Sequence, residues 1–133
     1  MAPVQADLDI TVAAAPTAAG EARRALAARR LVASEREPEL LLLVSELVTN
    51  SVRHAGLTDE ERIRLRARCV DDSAYVEVCD AGHSGHLPGK REPSLDALEP
   101  GGLGLVLVDE MADRWGVEQG DGETCVWFEL ARA

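Results

Sequence analysis

Aromatic side chains are scarce in this chain: Phe, Trp and Tyr make up 3% of 133 residues, with one Phe and one Tyr. Leu, Val and Ala must therefore build the core. Basic residues are in the minority, 14 against 24 acidic, for a net charge of −10. A nucleic-acid surface should be basic, so no direct nucleic-acid contact is expected. A small nucleotide site needs only local donors and stays open. Long apolar runs are missing. No stretch approaches the ~20 uncharged apolar residues of a membrane span. The start, Met1 to Asp7, has no basic region followed by an apolar run, so no signal peptide and no membrane partner are expected. Cysteines are few and odd in number: Cys69, Cys79 and Cys125. They sit in apolar alternating runs, which suits buried free thiols in a reducing cytoplasm.

What is present suits one globular domain over residues 1–133. The apolar share is 46%, and a chain of this length buries enough surface for one core. Leu8, Ile10 and Val12 alternate as in a strand. Pro16-Thr17 opens a helix to about Val32, with Thr17 as N-cap. Glu37-Pro38-Glu39 opens a second helix, which runs to Ala55 and stops at Gly56. Arg62 to Val70 alternates between apolar residues and arginines, a half-buried strand. Asp71-Asp72-Ser73 turns the chain, and Ala74 to Cys79 returns as a strand. Residues 80–102 read as a loop, Leu103 to Arg114 as a helix. Gly116 to Glu118 and Thr124 to Leu130 close as a hairpin across Gln119-Gly120-Asp121-Gly122. The order predicts an α+β fold: a two-layer sandwich of about five strands in a mixed, mostly antiparallel sheet, with helices on one face. Arg23, Arg24, Arg29 and Arg30 form the one basic cluster, either a solvated helix face or a docking surface for an acidic partner.

Three motifs carry chemistry. On the second helix Glu46, Asn50 and His54 are spaced by four and share a face. A carboxylate there can orient or deprotonate a hydroxyl or water, and an amide oxygen suits Mg²⁺. The second motif, Val76-Glu77-Val78-Cys79-Asp80-Ala81-Gly82, delivers an aspartate to a strand end. Asp80 can accept a hydrogen bond from an exocyclic amine, and Gly82 lets backbone pass close to a ring. A simple strand-closing turn explains the same residues. The third, Gly101-Gly102-Leu103-Gly104-Leu105-Val106, is a glycine-rich helix start that offers free N–H groups to phosphate. It is not a dinucleotide fingerprint, and Gly89-Lys90 followed by Arg91 is not a P-loop. His83 and His86 near Cys79 match no standard zinc set.

In this order the motifs resemble the GHKL superfamily of ATP-binding domains, which includes gyrase, histidine kinases and MutL. The closer likeness is to its anti-sigma-factor serine/threonine kinase branch and the related stand-alone actinobacterial regulators. Ser45 to Gly56 is similar to the N-box of that branch, Asp80-Ala81-Gly82 to its first glycine box and Gly101 to Val108 to its second. The tail from Ala112 to Val117 and from Thr124 to Leu130 is similar too, so the likeness covers about residues 7–131.

The resemblance implies a Bergerat-type ATP-binding fold with ATP and Mg²⁺ as cofactors. It makes Glu46 the catalytic base or water-orienting acid and Asn50 the Mg²⁺ ligand. Asp80 would bind the adenine amine, with Thr124 near it through water. Gly82, Gly102, Leu103 and Gly104 would line the nucleotide. His54 would line the site or cap its helix. Residues 83–101 would be the ATP lid, with Lys90 and Arg91 able to reach the γ-phosphate. Ser84 stands where many relatives carry a second glycine. The implied activity is a cytoplasmic kinase that holds a sigma factor inactive and phosphorylates a STAS-type antagonist. A homodimer is expected. The alternatives are a non-catalytic protein-binding regulator and a histidine-kinase catalytic domain, for which the chain leaves no room for a dimerisation helix pair.

Overall fold

The computed structural model describes residues 8–54, 61–81, 103–120 and 122–133. In chain order they form β1 (Leu8–Ala13), α1 (Ala18–Ala27), α2 (Glu37–His54), β2 (Arg62–Val70), β3 (Ser73–Asp80), α3 (Leu103–Met111), β4 (Arg114–Gly120) and β5 (Glu123–Ala131). The strands make one sheet in the order β1-β2-β3-β5-β4, and every neighbouring pair is antiparallel. The expected α+β sandwich is present. The sheet is antiparallel throughout rather than mixed.

Alternation decides which face meets the helices. Leu8 and Val12 of β1, Ile63, Leu65 and Ala67 of β2, and Ala74, Val76 and Val78 of β3 are buried. Phe128 and Leu130 of β5 join them. Leu26 of α1, Leu40, Leu43, Val44, Leu47 and Val48 of α2, and Val108 of α3 close this core. The chain's one Phe, Phe128, is wholly buried; Leu and Val supply most of the remaining bulk.

The opposite sheet face carries polar and charged groups. Arg64 holds Asp9 through two hydrogen bonds of 3.0 and 2.8 Å, and Arg66 reaches Glu77 at 3.2 Å. The Arg64 hydrogen bond holds the Asp9 carboxyl below its usual range. Tyr75 stacks on Trp127 with ring centroids 5.8 Å apart, and Arg68 lies 5.0 Å from the Tyr75 ring. Gly116 faces Trp127 across the β4–β5 pairing. A Cβ at Gly116 would lie 2.8 Å from the indole nitrogen, so glycine there admits the ring.

Three sequence expectations are corrected. α1 ends at Ala27, not near Val32. Arg30 takes a positive φ of 51°, which breaks the helical path. Leu31 and Val32 then bury in an irregular segment instead of continuing the helix. Thr17 flanks α1 but makes no side-chain cap bond; its Oγ1 donates to Glu21 Oε1 at 3.2 Å. Cys79 and Cys125 are not free thiols. They are directly paired in register between β3 and β5 and joined in a disulfide, with Cα atoms 4.0 Å apart. Among the described residues Cys69 is the one cysteine outside a disulfide.

Candidate functional site

Polar side chains are almost excluded from the described interior, and the exceptions gather in one place. The buried polar or charged residues are Ser51, Asp80 and Thr124, exposed by 8%, 8% and 6%. They come from three elements. Asp80 is the last residue of β3 and pairs across the sheet with Thr124, near the start of β5. Both follow the strand alternation onto the helix-facing side. From α2, the Ser51 hydroxyl donates to Asp80 Oδ2 at 2.6 Å.

The local sequence explains each position. Ser51 lies four residues after Leu47 and three after Val48, both in the core, so its hydroxyl shares the apolar stripe of α2. A hydroxyl there needs a partner, and Asp80 accepts its bond. The Thr124 Oγ1 is buried and has no hydrogen-bond partner among the described residues. An unmet buried hydroxyl costs about 1–3 kcal/mol and is the kind of group a ligand or a bridging water satisfies. A carboxylate acceptor beside this hydroxyl, with apolar walls, suits a planar ring bearing an amine.

Glu46 and Asn50 stand on the same helix and are half-buried. Asn50 immediately precedes Ser51, so a group contacting Asp80 and Ser51 lies within one turn of it. His54 ends α2. Leu103 and Gly104 open α3, whose first turn carries no acidic residue to offset its N-terminal N–H groups. Helix α3 packs on α2 and buries Val108. Gly82, Gly102, His83, His86, Lys90, Arg91 and the lid 83–101 lie outside the described residues. Arg23, Arg24, Arg29 and Arg30 are all exposed, and Arg23 donates to Ser45 Oγ at 2.6 Å.

Ser51 is the residue that motif reading passes over. Its signal was a hydroxyl placed on a helical stripe otherwise formed by Leu and Val. The disulfide was equally hidden. Cys79 precedes Asp80 and Cys125 follows Thr124, so pairing Asp80 with Thr124 brings the two cysteines together. That pairing joins strands separated by α3 and β4.

The sequence matches the histidine kinase-like ATPase domain family over residues 9–130, and the chain belongs to it. Within that family it is similar to serine-protein kinases called RsbW. The Staphylococcus epidermidis protein is 34% identical over 93 residues, covering 62% of this chain and 58% of the relative. The Bacillus subtilis protein is 34% identical over 95 residues, covering 65% and 59%. The chain thus spans less than two thirds of the length of these curated relatives. The fold is also that of a crystal structure of RsbU and RsbW domains from Mycobacterium tuberculosis. The TM-score is 0.70 at 20% identity, over 98% of this chain and 33% of the other. No helix among the described residues is long and apolar enough to cross a membrane.

Proposed function

We propose that the chain is an ATP-dependent protein serine/threonine kinase that acts by partner switching. The observation that carries this is the convergence of Ser51, Asp80 and Thr124 at the end of the β3–β5 ladder. Family membership and the likeness to the RsbW serine-protein kinases support it.

Asp80 accepts the hydrogen bond of the adenine amine, and Ser51 holds the carboxylate in place. Thr124 offers its unpartnered Oγ1 to the ring through a water. Gly82, Gly102, Leu103, Gly104 and His54 are the further residues proposed to bind the nucleotide. Asn50 supplies a hard amide oxygen for Mg²⁺. Asn50 would hold a bound Mg²⁺, which would supply charge to offset that of the phosphates. Glu46 orients the incoming serine hydroxyl and takes its proton. Catalysis on this design is positioning plus charge stabilisation, which is what phosphoryl transfer requires of a protein.

The proposed partners are proteins: a sigma factor held inactive and a STAS-type antagonist that receives the phosphate. The net charge of −10 disfavours a nucleic-acid partner. The proposed setting is the cytoplasm, with a second copy of the chain completing a homodimer.

The test is transfer of labelled γ-phosphate to a STAS-type protein. Glu46→Gln is expected to cut transfer by about 10²-fold or more while nucleotide affinity stays near wild type. If wild type binds MgATP and transfers nothing, the protein is a nucleotide-dependent binder and not a kinase.

A further inference from the structure

The Cys79–Cys125 disulfide spans the rung next to the one that carries Asp80 and Thr124. Because side chains alternate, the sulfurs lie on the open sheet face while Asp80 and Thr124 face the helices. The bridge therefore leaves the nucleotide pocket clear and ties together the two strands that form its floor. Both strands end here: Asp80 is the last residue of β3, and Glu123 the first of β5. Strand ends fray unless something holds them. At this end the holding element is covalent.

The bridge is approached through Cys125, which is half-buried, whereas Cys79 is 3% exposed. Cys79 and Asp80 both border an open hollow of about 370 Å³ at the strand ends, with Arg62, Arg64 and Glu123 around it.

We propose that this disulfide is a redox-responsive modification site, opened by a dithiol reductant, whose state sets nucleotide affinity. The inference rests on the nucleotide site assigned above. In the forward step a reductant thiolate attacks Cys125 Sγ, the S–S bond breaks, and Cys79 leaves as a thiolate and takes a proton. The second thiol of the reductant then attacks its own mixed-disulfide sulfur and releases Cys125, which is protonated in turn. Two electrons and two protons pass to the protein, and the reductant leaves as a disulfide. A disulfide oxidant reverses the sequence.

Direction follows from pre-organisation. With the bridge closed, Asp80 and Thr124 are held at fixed spacing before the nucleotide arrives. With it open, binding must order both strand ends, and affinity falls. Cys69 sits on β2, two strands from β5, and takes no part.

The experiment titrates MgATP into the full chain, oxidised and dithiol-reduced, with the disulfide content fixed by intact mass. The double variant Cys79→Ser/Cys125→Ser is measured beside it under both conditions. Amide hydrogen exchange over residues 76–80 and 124–128 is followed without nucleotide, with circular dichroism as the check on folding. Reduction is expected to weaken MgATP binding by about tenfold and to speed exchange at both strand ends. The double variant should match the reduced protein and ignore reductant. Equal affinity and equal exchange in the two wild-type states overturn the inference and leave the nucleotide site standing. A redox response that persists in the double variant overturns it in favour of Cys69. Absence of saturable nucleotide binding in every state overturns the site assignment and the inference with it.

Discussion

Ser51 shows how much of a site can rest on one unremarked hydroxyl. It stands on the apolar stripe of α2 and donates to the carboxylate that recognises adenine on the proposed function. Ser51→Ala removes a charge-assisted hydrogen bond from a buried acceptor, worth about 1 kcal/mol or more. Nucleotide affinity should fall about fivefold or more with the circular dichroism spectrum unchanged. Affinity equal to wild type would mean that Asp80 needs no orientation from α2. Glu46, Asn50 and Asp80 stood out as candidates because their residue types are costly to place on apolar elements without a reason, and the structure brings Asp80 together with Ser51 and Thr124. Ser51 was not, because serine is common and its partner is 29 residues away.

The elements themselves were largely legible. Alternation of Arg with Ile, Leu and Ala marks β2 without ambiguity. Pro38 with flanking glutamates marks the start of α2. The end of α1 was not legible, since Leu31 and Val32 continue an apolar pattern but bury in irregular backbone after the positive φ of Arg30. The partner of β3 was hidden for a different reason. Local sequence sets the alternation of a strand but not which distant strand lies beside it, and β5 reaches β3 across an intervening helix and strand.

That β3–β5 pairing also fixes the environment of Tyr75, beside Trp127 on the open face. Burial pushes the Tyr75 phenol up to about 12, and the charge of Glu77 and its hydrogen bond to the phenol add to this. Its folded pKa thus lies above the unfolded value near 10. The stabilisation from this group is therefore full below pH 10 and is lost as pH rises from 10 through about 12. Tyr75 is the only tyrosine, so phenolate absorbance reports it directly. A midpoint near 12 is expected in the native protein; a midpoint at 10 would place the phenol in free solvent.

On the scale of the whole molecule, the chain divides its labour by sheet face. One face packs three helices over a core of Leu and Val and keeps its buried polar groups for one corner. The other carries the Arg64–Asp9 and Arg66–Glu77 ion pairs, the Tyr75–Trp127 stack and the disulfide. The fold class could be inferred from element order, because an antiparallel sheet with helices between its strand pairs has few ways to bury itself. The corner where Ser51, Asp80 and Thr124 meet could not, because three distant segments build it.

The central claim is that this corner binds the adenine of ATP. The direct measurement is calorimetric titration of ATP with and without Mg²⁺ into wild type and Asp80→Asn. Saturable binding strengthened by Mg²⁺ is expected for wild type. Asp80→Asn should weaken it by about tenfold or more, because the carboxylate acceptor is gone while the side chain keeps its size. Equal affinity in the two proteins, or no saturable binding by wild type, would contradict the assignment of the site.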